Sequence, residues 1–151
     1  FGGHEMAAGM SLGREQLPTF AAALEEDARA QLEDSDLIPK LRHDGVMFLE
    51  EIDLGVLRQL EGLAPFGMEN PEPLLVVESV RAMQVQAVGD NHLRFTACQG
   101  AFSHPAIAFG MLDRRDELDG ELDLLVSPQI NRYNGRESVQ LRVKDIRPAD
   151  G

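Results

Sequence analysis

Adjacent glycines followed by a histidine are one way to hold an anion, and the chain reads Gly2-Gly3-His4 and then Ala7-Ala8-Gly9. Paired glycines reach positive φ and can turn their N–H groups inward, while small residues after them leave room for a ligand or a second backbone. Such a turn running into a helix start would be a ready phosphate site. On its own residues His4 is open to two uses, a bond to a phosphate oxygen or a structural place in a tight turn. A chain that starts at Phe1, inside such a motif and without Met, reads as a piece of a larger protein.

A second constellation lies near the other end. Val139, Leu141 and Val143 alternate with Gln140, Arg142 and Lys144, the period-2 pattern of a strand with one apolar and one basic face. Arg132, Tyr133, Arg136 and Arg147 sit on the same hairpin or just past it, with Arg81 and Arg94 on earlier strands. A basic groove with aromatic stackers is how small barrels bind single strands. Tyr133, beside the turn, is the best-placed stacker, whereas Phe95 and Phe109 fit core phases. A mixed-charge solvated strand has the same composition, so both readings stay open at this level.

Other chemistries are thinly represented. His4, His43, His92 and His104 are widely spaced and pair with no Cys or His at ligand spacing. There is no nucleophile elbow, P-loop or HExxH. Cys98 is alone, which rules out an internal disulfide and points to a reducing, cytoplasmic setting. No apolar run approaches the roughly 18 residues of a membrane span, and no leader-peptide pattern is present. In 151 residues, 43% hydrophobic and 26% charged, the totals are those of a globular protein.

The net charge of −12 argues against nucleic acid, but it is unevenly spread. Residues 1–76 carry 15 acids and 5 bases, a net of −10, and residues 77–151 carry 11 acids and 9 bases, a net of −2. The second half can therefore carry a local basic face.

The elements that would position these residues follow from periodicity. Residues 15–33 repeat Leu17, Phe20, Ala21, Leu24, Ala28 and Leu32 at helical spacing, with Glu25, Glu26, Asp27 and Arg29 opposite. Two β-prone runs, 38–41 and 46–52, flank Asp44-Gly45, a hairpin dipeptide. Asp53 reads as the N-cap of a short helix carrying Leu54, Leu57 and Leu60. The stretch 64–73 holds three prolines and a glycine and reads as a boundary between two domains, with Phe66 packed on one of them. Strands are then expected at 74–88, with a bulge near Arg81, and at 92–99, 105–111, 121–133 and 136–147. Asn134-Gly135 makes a type I′ turn, and 113–121 is a solvent-facing loop or helical turn. Five strands with an insertion between the third and fourth match the oligonucleotide-binding (OB) barrel. The fold class expected is α+β, a small mixed domain over 1–63 followed by an all-β OB-fold barrel over 74–151.

Two motifs together are specific. Gly2-Gly3-His4-x-x-Ala7-Ala8-Gly9 resembles the motif of the DHH-associated domain, and Leu63-x-Pro65-Phe66-Gly67-x-x-Asn70-Pro71-x-Pro73 resembles the linker of RecJ-type exonucleases. Asn91-His92-Leu93-Arg94-Phe95, Ala106-Ile107-Ala108-Phe109-Gly110, Asn131 with Gly135, and Leu141-x-Val143-x-Asp145-Ile146 follow that family's barrel, so the resemblance covers nearly the whole chain. It implies a DHH-associated domain, truncated at its start, over 1–63. It also implies a 5′-to-3′ exonuclease that degrades single-stranded DNA in recombination and repair with Mn²⁺ or Mg²⁺. The metal ligands of that family lie in an upstream domain, so no metal is expected in this chain and the chain alone would be inactive. By motif match Gly2, Gly3 and His4, with Ala8 and Gly9, would contact a DNA phosphate near the cleavage site. Arg94, Arg132, Tyr133, Arg136, Arg142 and Lys144 would grip the incoming strand. A single-strand-binding or other replication and repair protein is a further expected partner, and a membrane is not. The acidic balance departs from what a DNA-gripping fragment usually carries.

Two alternatives belong to other classes. A DHH phosphodiesterase acting on short oligonucleotides or cyclic dinucleotides would share the glycine motif but usually lacks the barrel of residues 74–147. A protein-interaction module would show an exposed apolar patch where Arg132, Arg142 and Lys144 are expected.

Overall fold

In the computed structural model, which describes residues 2–4, 7–33, 36–38 and 40–149, the chain divides into two compact units, Phe1–Leu41 and Arg42–Gly151. In the first, strands β1 (Gly2–His4) and β2 (Ala7–Gly9) pair antiparallel, Gly2 opposite Gly9, Gly3 opposite Ala8 and His4 opposite Ala7. The turn into a helix expected at Gly2-Gly3-His4 is thus replaced by extended, paired backbone. Gly3 lets the two strands lie close: a Cβ there would lie a tight 3.3 Å from the Ala8 Cβ and 3.4 Å from the Ala7 carbonyl oxygen. The helix expected over 15–33 forms as a 3₁₀ turn, Arg14–Gln16, followed by α1, Leu17–Gln31. No α1 side chain is buried.

The second unit is a barrel with its plugs. Asp44-Gly45 does not make the expected hairpin. The Asp44 amide donates to the Leu74 carbonyl at 2.7 Å, and the Leu74 amide donates back to the Asp44 carboxylate at 2.8 Å. Those bonds fix β3 (Gly45–Val46) parallel to the start of β4 (Leu75–Val88). Of the run 38–41, Pro39 lies outside the described residues and no described residue is in a strand; 49–51 is a 3₁₀ turn. Asp53 caps α2 (Leu54–Glu61) as expected, accepting the Val56 amide at 2.8 Å.

Leu49, Ile52 and Leu57, at most 1% exposed, belong to the same core as the barrel strands. The division between units therefore falls at 41/42, and the Pro-rich stretch 64–73 lies inside the second unit. That stretch is tied down by Asn70, whose side-chain amide donates to the Leu63 and Pro65 carbonyls at 2.9 and 3.0 Å.

All five expected barrel strands are present. β4 pairs antiparallel with β5 (His92–Gln99), and β5 with β6 (Phe102–Phe109). β6 runs parallel to β8 (Arg136–Pro148), and β8 antiparallel to β7 (Glu121–Tyr133), which closes on the first half of β4. β4 can serve two neighbours because it is irregular on both sides of Arg81, between Val77 and Val80 and between Met83 and Gln86. At the first irregularity Ser79 takes a φ of 52° and donates its amide to the buried Asp123 carboxylate at 3.1 Å. Asn134 and Gly135 have φ of 49° and 74°, the left-handed pair a type I′ turn requires. The charged run 113–121, expected as a solvent-facing loop or helical turn, is a 3₁₀ segment, Leu112–Leu118, that keeps most of its charged residues exposed and buries only Leu118, to 3% exposure.

Candidate nucleic-acid interface

Alternation on β8 buries Val139, Leu141 and Val143 and turns Gln140, Arg142 and Lys144 outward. Register then assembles the outer face: Arg142 lies beside Ile107 on β6, Ile107 beside Arg94 on β5, and Phe109 beside His92. The Phe109 ring is 46% exposed, with the Arg142 guanidinium 5.3 Å from its centroid. His92 meets the ring edge-on, centroids 5.0 Å apart, and its Nδ1 accepts the Gly110 amide at 3.1 Å. Arg94 donates to Gln86 at 3.0 Å. A cation above an aromatic that still has open ring surface can stack a base and meet its phosphate together.

Phe109 was expected in the core and is not there, whereas Phe95 is, at 2% exposure. The reason is volume. Ala106 and Ala108 of β6, both 0% exposed, stand opposite Phe95 and Leu93 of β5, at 2% and 0%, and these large inward side chains leave β6 room for methyl groups only. Ile107 and Phe109 are left on the opposite parity. The run of alanines at alternate positions was the available signal, and side-chain size outvoted it.

The hairpin end is built differently. Arg132 has the inward parity of Ile130 and, beyond the barrel's end, meets α2: it donates to both Glu61 oxygens at 2.8 and 2.9 Å and to Glu137 at 3.0 Å. Arg58 of α2 reaches Glu137 at 2.7 Å. Arg132 is thus committed to holding α2 on the β7–β8 hairpin. Tyr133 is 71% exposed at the turn, and among the described residues Arg136 pairs with no carboxylate. Lys144 lies 3.6 Å from Glu72.

The network has a pH signature. The Arg132 hydrogen bond holds the Glu61 carboxyl below the ordinary carboxylate range, and hydrogen bonds from Arg58 and Arg132 do the same for Glu137. A carboxylate depressed on folding stabilises the fold above its unfolded value, about 4.3, and loses that contribution as pH falls through the folded value. Arg132→Met is therefore expected to melt below wild type at pH 7, with the gap closing as pH drops below about 4.3 and shrinking in high salt. A gap unchanged in acid would show that the network is not what joins α2 to the hairpin.

Gly2, Gly3, Ala8 and Gly9 are exposed on the β1–β2 pair of the first unit; the side chain of His4 lies outside the described part of the structure. Among the described residues no three His, Cys, Asp or Glu side chains gather where they could hold a metal ion. No described helix is long and apolar enough to cross a membrane.

Known proteins resemble the chain in sequence and fold. The sequence profile of the RecJ OB domain matches residues 43–145. The single-stranded-DNA-specific exonuclease RecJ of Bacillus subtilis is 32% identical over 149 residues, covering 96% of this chain and 19% of that protein. RecJ of Escherichia coli is 30% identical over 152 residues, covering 98% and 26%. The chain thus spans about a fifth to a quarter of the length of these curated relatives. The crystal structure of Thermus thermophilus RecJ in complex with Mn²⁺ superposes with a TM-score of 0.76 at 23% identity, over 99% of this chain and 22% of that one.

Proposed function

The chain belongs to the RecJ OB domain family, and from that membership we propose that it is the strand-gripping part of a 5′-to-3′ single-stranded-DNA exonuclease of recombination and repair. The observation that carries this reading is the outer barrel face, where Phe109 offers an open ring beneath Arg142 and Arg94 lies one strand away from Ile107 in the same row. A base stacks on Phe109, Arg142 meets its phosphate, and Arg94 meets a neighbouring one. Tyr133 and Arg136, at the β7–β8 turn, extend the contact.

In this reading residues 1–41 are part of a DHH-associated domain. Gly2, Gly3 and His4, with Ala8 and Gly9, contact the phosphate near the scissile bond. The hydrolytic step and its Mn²⁺ or Mg²⁺ belong to sequence outside this chain, whose own contribution is binding and orientation. The setting is cytoplasmic, and a single-strand-binding or repair protein is a further partner. The face mixes cations with its aromatic ring, which favours a nucleic-acid strand over an apolar protein partner.

Fluorescence anisotropy with labelled oligothymidylate tests the binding role. Affinity is expected to fall with salt, and Arg142→Ala to make the slope of log K against log salt shallower by about 0.7, one single-strand phosphate contact. Salt-independent binding, or a slope indifferent to Arg142, would point to the interaction-module alternative. For the first unit, His4→Ala in the intact nuclease is expected to slow cleavage with an unchanged melting temperature. A large melting shift with normal cleavage would make His4 structural.

A further inference from the structure

The outer face continues past Arg142 onto β7, where a built anion cradle is already filled by the chain's own carboxylate. Ser127 stands opposite Arg142 across the β7–β8 pair, and Gln129 opposite Gln140, so their side chains share that face. Over them lies Glu72, set between Pro71 and Pro73, whose rings fix their own φ and hold the segment to a narrow path. Gln129 donates to Glu72 Oε1 at 3.0 Å and Lys144 Nζ lies 3.6 Å from Oε2, while the nearby Ser127 hydroxyl, on a residue 1% exposed, helps hold the carboxyl low.

We propose that this cradle of Ser127, Gln129 and Lys144 is a phosphate site of the strand-binding face, and that Glu72 occupies it in competition with a nucleic-acid phosphate. The inference rests on the strand-binding reading above. A buried hydroxyl, an amide N–H and an ammonium are the donors a phosphate oxygen takes, and none of them requires a carboxylate in particular. Partial burial would raise the Glu72 pKa, but the Ser127 and Gln129 hydrogen bonds, with the Lys144 and Arg142 charges, outweigh it and keep the group ionised. Glu72 and Lys144 are each about a third exposed, so an incoming anion can reach them from solvent. The row Ser127, Arg142, Ile107, Arg94 crosses four strands at about 4.8 Å per step. A single strand lying along that row would meet Arg94, Arg142 and the cradle in turn.

Glu72→Gln removes the charge and keeps the shape. In the full 151-residue chain it is expected to tighten oligothymidylate binding roughly 5- to 10-fold, about 1–1.4 kcal/mol, and to steepen the salt slope by about 0.7. Adding Lys144→Gln to that variant should reverse both changes. Lys144→Gln alone should barely move the slope, because Glu72 already engages that ammonium. Unchanged or weakened binding by a folded Glu72→Gln chain overturns the proposal. So does a slope loss of about 0.7, one whole phosphate contact, in Lys144→Gln alone, a result that stands even where Glu72→Gln does not fold. If Arg142→Ala weakens binding and Glu72→Gln does nothing, the cradle alone falls; if Arg142→Ala does nothing, the strand-binding reading falls.

Discussion

Phe109→Ala is expected to weaken oligothymidylate binding by about 5- to 150-fold, the 1–3 kcal/mol that one base-on-aromatic stack is worth. The fold should be nearly indifferent, because the ring is 46% exposed and stands on the outer face, while the buried core is built by other side chains. Part of the loss would come through Arg142, whose guanidinium is steered by the ring 5.3 Å away. That share is the smaller one, since an exposed cation–π contact contributes about 0.5–1 kcal/mol. Phe109→Tyr keeps a stacking face and should retain most of the affinity. Phe102→Ala is the matched control: it is as exposed, at 47%, and on the same strand, but has the parity of Ala106 and Ala108. Equal losses at Phe102 and Phe109 would mean that exposed apolar area, not a positioned stacker, drives binding.

What the sequence shows well is whatever one strand or one turn decides by itself. The alternation of β8, the Asn134-Gly135 turn and the Asp53 cap each depend on neighbours within a few residues, and each is present. Asp44-Gly45 fails for the complementary reason: its hydrogen bonds go to Leu74, 30 positions away, and a dipeptide cannot announce so distant a partner. Arg132 is basic and beside a turn, so it reads as a DNA contact. Its partner Glu61 is 71 residues distant, and only the packing of α2 against the hairpin reveals that three of its five N–H groups are engaged by carboxylates. Phe109 shows a third limit. Both parities of β6 are apolar, so periodicity cannot choose the inward face, and the interior's capacity decides it.

The Pro-rich stretch misleads in a way that leads to the second large effect. Prolines and glycines report where the backbone stops repeating, not where side chains lodge. Leu57 precedes that stretch, yet it is 1% exposed and packs in one core with Leu49, Ile52 and the barrel strands. Leu57→Ala should therefore destabilise the barrel itself, by about 2–5 kcal/mol for a buried leucine that leaves a cavity. Against a total of about 5–15 kcal/mol for a domain, that is a large share. The expected record is a single transition of the second unit at lower temperature, with amides of β6 and β8 losing hydrogen-exchange protection by the same free energy as α2. If residues 42–73 were an independent neighbour, protection would fall in α2 alone and β6 would be unmoved. The same coupling bears on binding. α2 is joined to the β7–β8 hairpin through Glu61 and Arg132, so loosening it also frees the turn carrying Tyr133 and Arg136. Phe109 and Arg142 are held by β6 and β8 register instead. Below its melting temperature Leu57→Ala should accordingly keep most of its single-strand affinity, separating residues that build the face from those that form it.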